Sequence, residues 1–249
     1  MLLRSNIDSG SVHIWTACLK ADPVVLHMAM SLLSGEEIQR ADHFYFPDDR
    51  RRFILCRALL RSLLGSYSSV PPRKLRFTMG AHGKPAIDSS CVASPCHFNV
   101  SHSHDRTVIA IARGSPVGVD VERLRSMPEA RRIARYFFSP FEQAIYERLP
   151  ASLQPQAFFS CWTRKEAFTK ALGAGLSIPF RSFAVSLGSD ERPRLLTASG
   201  EDASASGWTL FHLEPAPGHL GALAALACIE RVNMRALDPQ AVLRSALAG

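Results

Sequence analysis

The sequence predicts an α+β protein made of two halves of similar build. Three observations predict it. Short alternating or continuous apolar runs with the signature of strands occur in both halves of the chain, beside longer stretches with helical spacing. Each half reads as helices plus about three strands, and no sequence repeat relates the two. A Gly114-Ser115-Pro116 turn sits at the middle, so the expected halves are residues 1–117 and residues 118–249. A chain of 249 residues can bury a sizeable core, as one large domain or as two of roughly 120 residues.

The elements follow in order. Val12 to Leu19 alternates as a strand. Ser34 opens a helix, with Glu37 three residues on completing a capping box, and its periodicity runs toward Phe46. Arg51 to Leu64 carries Phe53, Ile54, Leu59, Leu60, Leu63 and Leu64 at helical spacing. Ser66 to Pro72 breaks the chain. Leu75 to Met79 is a short strand before a Gly80/Gly83 turn, and Phe98–Val100, Thr107–Ala112 and Val117–Val121 are three more strands. The second half opens on a helix from Met127 to Phe138. Ser139-Pro140-Phe141-Glu142 combines a cap, a first-position proline and a third-position acid, a strong helix start. Gln154 to Leu172 is the longest helix, closed by Gly173 to Gly175. Strands fall near Ser182–Leu187, Trp208–Glu214 and Gly221–Ile229, with a polar loop over Ser199–Gly207. The tail from Leu237 reads as a surface helix.

Composition excludes several classes. With 47% hydrophobic and 20% charged residues the chain has globular character. The net charge of +7 favours anionic partners. The run Arg50-Arg51-Arg52 reads as a solvated helix face, and no basic motif interleaved with aromatics points to nucleic acid. Cys18, Cys56, Cys91, Cys96, Cys161 and Cys228 include no C-x-x-C pair, so they read as reduced cysteines of a cytoplasmic protein. The first eight residues lack the apolar run of a signal peptide. Gly221 to Ile229 is far too short to span a bilayer.

Three segments carry chemistry. In Val117-Gly118-Val119-Asp120-Val121-Glu122, residues two apart share a strand face, so Asp120 and Glu122 project side by side. Adjacent carboxylates repel unless a cation lies between them, and hard oxygen ligands suit Mg²⁺. In Cys161 to Lys170, Trp162, Glu166 and Lys170 recur every four residues on one helix face, with Lys165 on its flank. Read alone, that face is equally a surface Glu–Lys pair, and the strand acids are equally solvated. Third, Ser101-His102-Ser103-His104 directly follows a buried strand, at a sheet edge where ligand loops occur. Ser101 and His102 point to opposite faces, which makes them a poor nucleophile–base pair. Upstream, Lys84 in Gly83-Lys84-Pro85 and Arg52 could each offer charge to a phosphate.

Together these segments resemble the Sfp-type 4′-phosphopantetheinyl transferases. The order matches: His82-Gly83-Lys84-Pro85, FNVSHS from Phe98, VGVDVE from Val117, FFSPFE from Phe137, and WTRKEAFTKALGAGLSIP from Trp162. The G-x-D-x-E and W-x-x-K-E-x-x-x-K pair, some 40 residues apart, is the specific part.

The resemblance implies a pseudo-dimer of two α+β halves with coenzyme A in the cleft between them. It implies a monomeric enzyme that moves phosphopantetheine from coenzyme A to a serine of an acidic acyl, peptidyl or aryl carrier protein, leaving adenosine 3′,5′-bisphosphate. The alternative is a non-catalytic carrier-binding module of the same fold. By the same resemblance Asp120, Glu122 and Glu166 hold Mg²⁺, with Mn²⁺ able to replace it, and Glu166, Asp120 and Lys170 are the catalytic set. Arg52, Lys84, Ser101, His102, Lys165 and Lys170 bind coenzyme A. Glu142 matches an acid of open role. Some relatives carry lysines that hold the 3′-phosphate where this chain has Glu36 to Arg40, with Arg40 as a substitute.

Overall fold

The computed structural model describes residues 7–92, 95–188, 192–197, 199–201, 203, 207–226 and 229–248. The first six residues, Cys228 and four positions of the 199–207 loop lie outside the described residues. Strand β1 (Ser11–Cys18) leads into helices α1 (Pro23–Met30), α2 (Gly35–Asp42) and α3 (Pro47–Ser68). A β2 (Phe77–Met79) and β3 (Pro85–Ile87) hairpin follows, then β4 (His97–Ser103), β5 (Arg106–Ala112) and β6 (Val117–Arg123). Helices α4 (Ala130–Phe137), α5 (Pro140–Arg148) and α6 (Gln154–Leu172) come next. The chain closes with β7 (Phe183–Val185), β8 (Leu195–Thr197), β9 (Trp208–Ala216), β10 (His219–Leu226), β11 (Arg231–Ala236) and α7 (Pro239–Ala248).

The α+β class holds, and the elements stack in four layers. Sheet β11-β1-β5-β4 and sheet β6-β10-β9 face each other. Between them Val12, Ile14, Val108 and Ala110 pack against Val117, Val119, Val121 and Leu223. Alternation then aims the other strand residues outward. Trp15, Ile109 and Ile111 meet α1, α3 and α7, while Leu220, Ala222 and Ala224 meet α4 to α6. The helix starts read from sequence have a physical cause. Ser34 and Glu37, and Ser139 and Glu142, form reciprocal capping boxes, and Gly173 closes α6 in the left-handed conformation at φ +69°.

The division at residue 117 needs correcting at the C-terminal end. β11 pairs in parallel with β1, and α7 packs on α1 and α3. The last two elements therefore complete the N-terminal layers. α7 is a surface helix, as expected, and its buried face, Val242 and Leu243, joins this packing.

Candidate active site

The site forms where α6 crosses β6. A Cβ built on Gly118 would collide with the backbone of Ala167 and Ala171, so only glycine lets the helix lie this close. Gly118, Asp120 and Glu122 alternate onto the same face of β6. On α6, Glu166 and Lys170 follow at helical spacing on that side. Lys170 Nζ lies 2.6 Å from Asp120 Oδ1, across the helix–strand contact. Asp120 is buried, and its second oxygen, Oδ2, has no hydrogen-bond partner.

Strand β4 holds the acids from the opposite side. β4 ends one sheet and β6 ends the other, and β4 side chains bridge the two. Asn99 Oδ1 accepts the N–H of Val119 at 2.8 Å, Ser101 Oγ that of Val121 at 3.4 Å, and Ser103 Oγ that of Arg123 at 3.1 Å. Both hydroxyls pass the contact on. Ser101 donates to Asp120 Oδ1 and Ser103 to Glu122 Oε2, each at 2.8 Å. The period of two in Asn99, Ser101 and Ser103 matches the period of two on β6. That pattern was the readable signal for a role sequence reasoning did not assign to Asn99 and Ser103. Arg125 also reaches Glu122 Oε2, at 3.1 Å.

Electrostatics set the acids apart from ordinary surface carboxylates. Burial pushes the Asp120 pKa up, opposed by the Lys170 charge and by hydrogen bonds from Lys170 and Ser101, with Glu122 adding to the rise. Burial also raises Glu166; Lys170 opposes this, while Asp120 and Glu122 push the same way. An unpartnered buried carboxylate oxygen beside mutually repelling acids suits a hard divalent cation. Asp120, Glu122 and Glu166 thus fit as a donor set. Among the described residues, no three His, Cys, Asp or Glu side chains are drawn into a formed metal cage. Lys170 and Ser101 hold Asp120, and Ser103 and Arg125 hold Glu122.

The other expected residues divide. Burial lowers the His102 pKa, and the charges of Lys170 and Arg52 lower it further. His102, on the opposite face of β4 from Ser101, lines a hollow of about 140 Å³ with Phe53, Arg57 and Pro85. Arg52 is partly committed, to Asp105 at 3.1 Å and Asp49 at 2.9 Å. Arg40, on α2, has its guanidinium 5.3 Å from the centre of the Phe53 ring.

Three assignments change. Ser101 spends its hydroxyl on Asp120, Lys170 and the β6 backbone rather than facing a nucleotide. Lys84 Nζ donates to Val117 O and Ala171 O, both at 3.0 Å, which ties its turn to the start of β6 and the end of α6. Lys165 contacts none of the site acids. It is fully buried on the far flank of α6, donating to Phe180 O and Phe183 O at 2.7 Å and pairing with Glu142 Oε2 at 2.9 Å. Glu142 also accepts the N–H groups of Ser139 and Val185, which defines its role: it pins α5, α6 and β7 together.

Comparison with known proteins places this site in a family. The sequence model described as the 4′-phosphopantetheinyl transferase superfamily matches residues 116–224, which span β6, α6 and β10. The model described as 4′-phosphopantetheinyl transferase, N-terminal, matches residues 17–113. The chain is 34% identical over 216 residues to 4′-phosphopantetheinyl transferase HetI of Nostoc sp., covering 87% of this chain and 88% of that protein. The chain belongs to the 4′-phosphopantetheinyl transferase superfamily. It is also 34% identical over 161 residues to 4′-phosphopantetheinyl transferase Sfp of Bacillus subtilis, covering 65% of this chain and 69% of that one. The superfamily match takes in the whole acid and lysine set. Among the described residues, no helix is long and apolar enough to cross a membrane.

Proposed function

We propose that the protein transfers the 4′-phosphopantetheine arm of coenzyme A to a serine hydroxyl of an acyl or peptidyl carrier protein. The observation that carries this is the meeting of Asp120, Glu122, Glu166 and Lys170 at the β6–α6 crossing, in a chain of this family. A catalytic enzyme is favoured over a carrier-binding module because buried, unpaired carboxylate capacity costs stability and serves no purpose in docking alone.

The residues divide the work. The serine Oγ attacks the phosphorus of the pantetheine arm, its proton leaves, and the bond from that phosphorus to the bridging oxygen breaks to release adenosine 3′,5′-bisphosphate. Glu166, on the helix face that meets the strand acids, takes the proton. Lys170, at the mouth of the crossing, neutralises charge on the pyrophosphate. Asp120, Glu122 and Glu166 would hold Mg²⁺, which when bound screens the negative charge of the phosphates. His102, in the hollow next to β4, and Arg52, whose charge reaches it, would hold the nucleotide end, and binding there positions the reacting phosphorus. β6 and α6, which meet at the site, belong to one chain, which supports action as a monomer. The net charge of +7 supports an acidic carrier as partner.

The test is intact-mass spectrometry of a purified apo-carrier incubated with the protein, coenzyme A and Mg²⁺. The expected result is a mass gain of one phosphopantetheine group, with adenosine 3′,5′-bisphosphate in the supernatant. No gain on any of a panel of acyl and peptidyl carriers would contradict the proposal.

A further inference from the structure

The acids of the site are chemically suited to a divalent cation, yet they are not drawn together into a cage. One contact accounts for this. Lys170 Nζ sits 2.6 Å from Asp120 Oδ1 and 3.2 Å from Ser101 Oγ, so a cation of the protein itself already neutralises the buried acid. Ser101 donates to the same oxygen. Every charge-neutralising contact of Asp120 converges on Oδ1, while Oδ2 is buried and without a partner. A buried carboxylate needs a counter-charge, and Lys170 is that counter-charge.

We propose that Lys170 is a resident cation on Asp120 that the divalent metal must displace, and that the arrival of a pyrophosphate makes this exchange favourable. The inference rests on the metal-site reading of Asp120, Glu122 and Glu166 given above.

The side chain is built for the exchange. Asp120 is fixed on β6, with 7% of its side chain exposed, whereas the Lys170 side chain is 29% exposed and reaches the contact from the last turn of α6. Lysine carries a compact charge on a flexible stem, so it can leave the carboxylate for a nearby phosphate without moving the helix. The two cations then sort by ligand: the lysine goes to the phosphate oxygens and the metal to the carboxylates. Without a phosphate, a metal that takes Asp120 must expel an ammonium into a site where Arg125 already stands at Glu122, so binding is weak. Metal affinity and phosphate affinity are therefore coupled, each raising the other by the same factor. The coupling runs through a side chain of the protein, in addition to any direct metal–phosphate bond.

The consequence is opposite to that of a residue that helps hold the metal. Removing the lysine charge tightens metal binding to the ligand-free protein. Mn²⁺ titrated into the ligand-free full chain, with free Mn²⁺ read by electron paramagnetic resonance, measures this. Lys170→Met, which keeps the stem and removes the charge, is expected to bind Mn²⁺ about fivefold or more tighter than the wild type, the lower end of ordinary coupling strengths. Lys170→Arg, which keeps the charge, is expected to stay weak. Adding adenosine 3′,5′-bisphosphate plus inorganic pyrophosphate as a probe is expected to tighten Mn²⁺ binding more in the wild type than in Lys170→Met. Weaker or unchanged binding in a folded Lys170→Met protein, with Asp120→Asn losing Mn²⁺, overturns the exchange while leaving the metal site standing. Mn²⁺ binding that survives Asp120→Asn unchanged overturns the metal site itself and the exchange with it.

Discussion

Gly118 and Ala171 are in backbone contact: a methyl group on Gly118 would lie 2.8 Å from the Ala171 Cα, with nothing flexible to move aside. This contact sets the distance between β6 and α6, and so between the strand that carries Asp120 and Glu122 and the helix that carries Glu166 and Lys170. Gly118→Ala is expected to destabilise the protein by ~1–3 kcal/mol, the usual range for overpacking, and to lower turnover in the folded fraction because the helix is pushed off the strand. Thermal unfolding with parallel kinetics checks both. An unchanged melting temperature and full activity would contradict it.

Lys165 pairs with Glu142 in the protein interior. Lys165→Met leaves Glu142 buried without its counter-charge, and breaking a buried pair in this way typically costs about 3–5 kcal/mol. Lys165→Met/Glu142→Leu is expected to recover part of that loss. Recovery stays incomplete because the Ser139 and Val185 N–H groups lose their acceptor. Denaturant titration measures the stabilities. Calorimetry on the folded protein is expected to give unchanged coenzyme A affinity; a large loss of affinity at full stability would restore Lys165 to the cleft.

Much of this was legible in the sequence, and the exceptions have physical causes. Both capping boxes and the whole of α6 were readable because caps, periodicity and a terminal glycine are local signals. Helix α1 also had a start signal, Asp22 ahead of Pro23 with Asp22 accepting the Val25 N–H, but it is only eight residues long and nearly all apolar, without a polar face. The parallel β1–β11 pairing joins residues more than 200 positions apart, and no local pattern names such a partner. Asp120, Glu122, Glu166 and Lys170 fell on the right faces because strand and helix periods dictate them. The fate of Lys165 was hidden, since a helical wheel places it on a flank and only Glu142, from another helix, decides that the flank is buried.

Lys84 gives a pH-dependent prediction. Burial pushes its pKa down from 10.5 to about 8. The unfolded chain therefore keeps this proton across a window from about pH 8 to 10.5 in which the folded protein has released it. Where the unfolded state binds more protons, stability rises with pH. The Lys84 contribution to stability should rise through that window, and Lys84→Met should remove this part of the slope. Lysine side-chain resonances followed by NMR give the pKa directly; a Lys84 titration near 10.5 would contradict the assignment.

His102 faces the hollow beside β3 and β4, away from the acids. On the proposed function it would grip the nucleotide end and not the reacting phosphorus. His102→Ala is expected to raise the KM for coenzyme A several-fold with little change in kcat, since a grip felt equally in ground and transition states acts on KM. Steady-state kinetics decide it: an unchanged KM with a collapsed kcat would place His102 in the chemistry.

The central claim is that the β6–α6 acids carry phosphopantetheinyl transfer, with Glu166 as the base. Time-resolved intact-mass spectrometry of an apo-carrier, with wild-type and Glu166→Gln protein at saturating coenzyme A and Mg²⁺, tests it most directly. Glutamine keeps the size and one acceptor oxygen but cannot take the serine proton. The predicted result is a gain of one phosphopantetheine group with the wild type, and the same gain slowed by about 10² or more with Glu166→Gln, the usual scale for losing a general base. Equal rates for the two proteins, or no mass gain with the wild type, would contradict it.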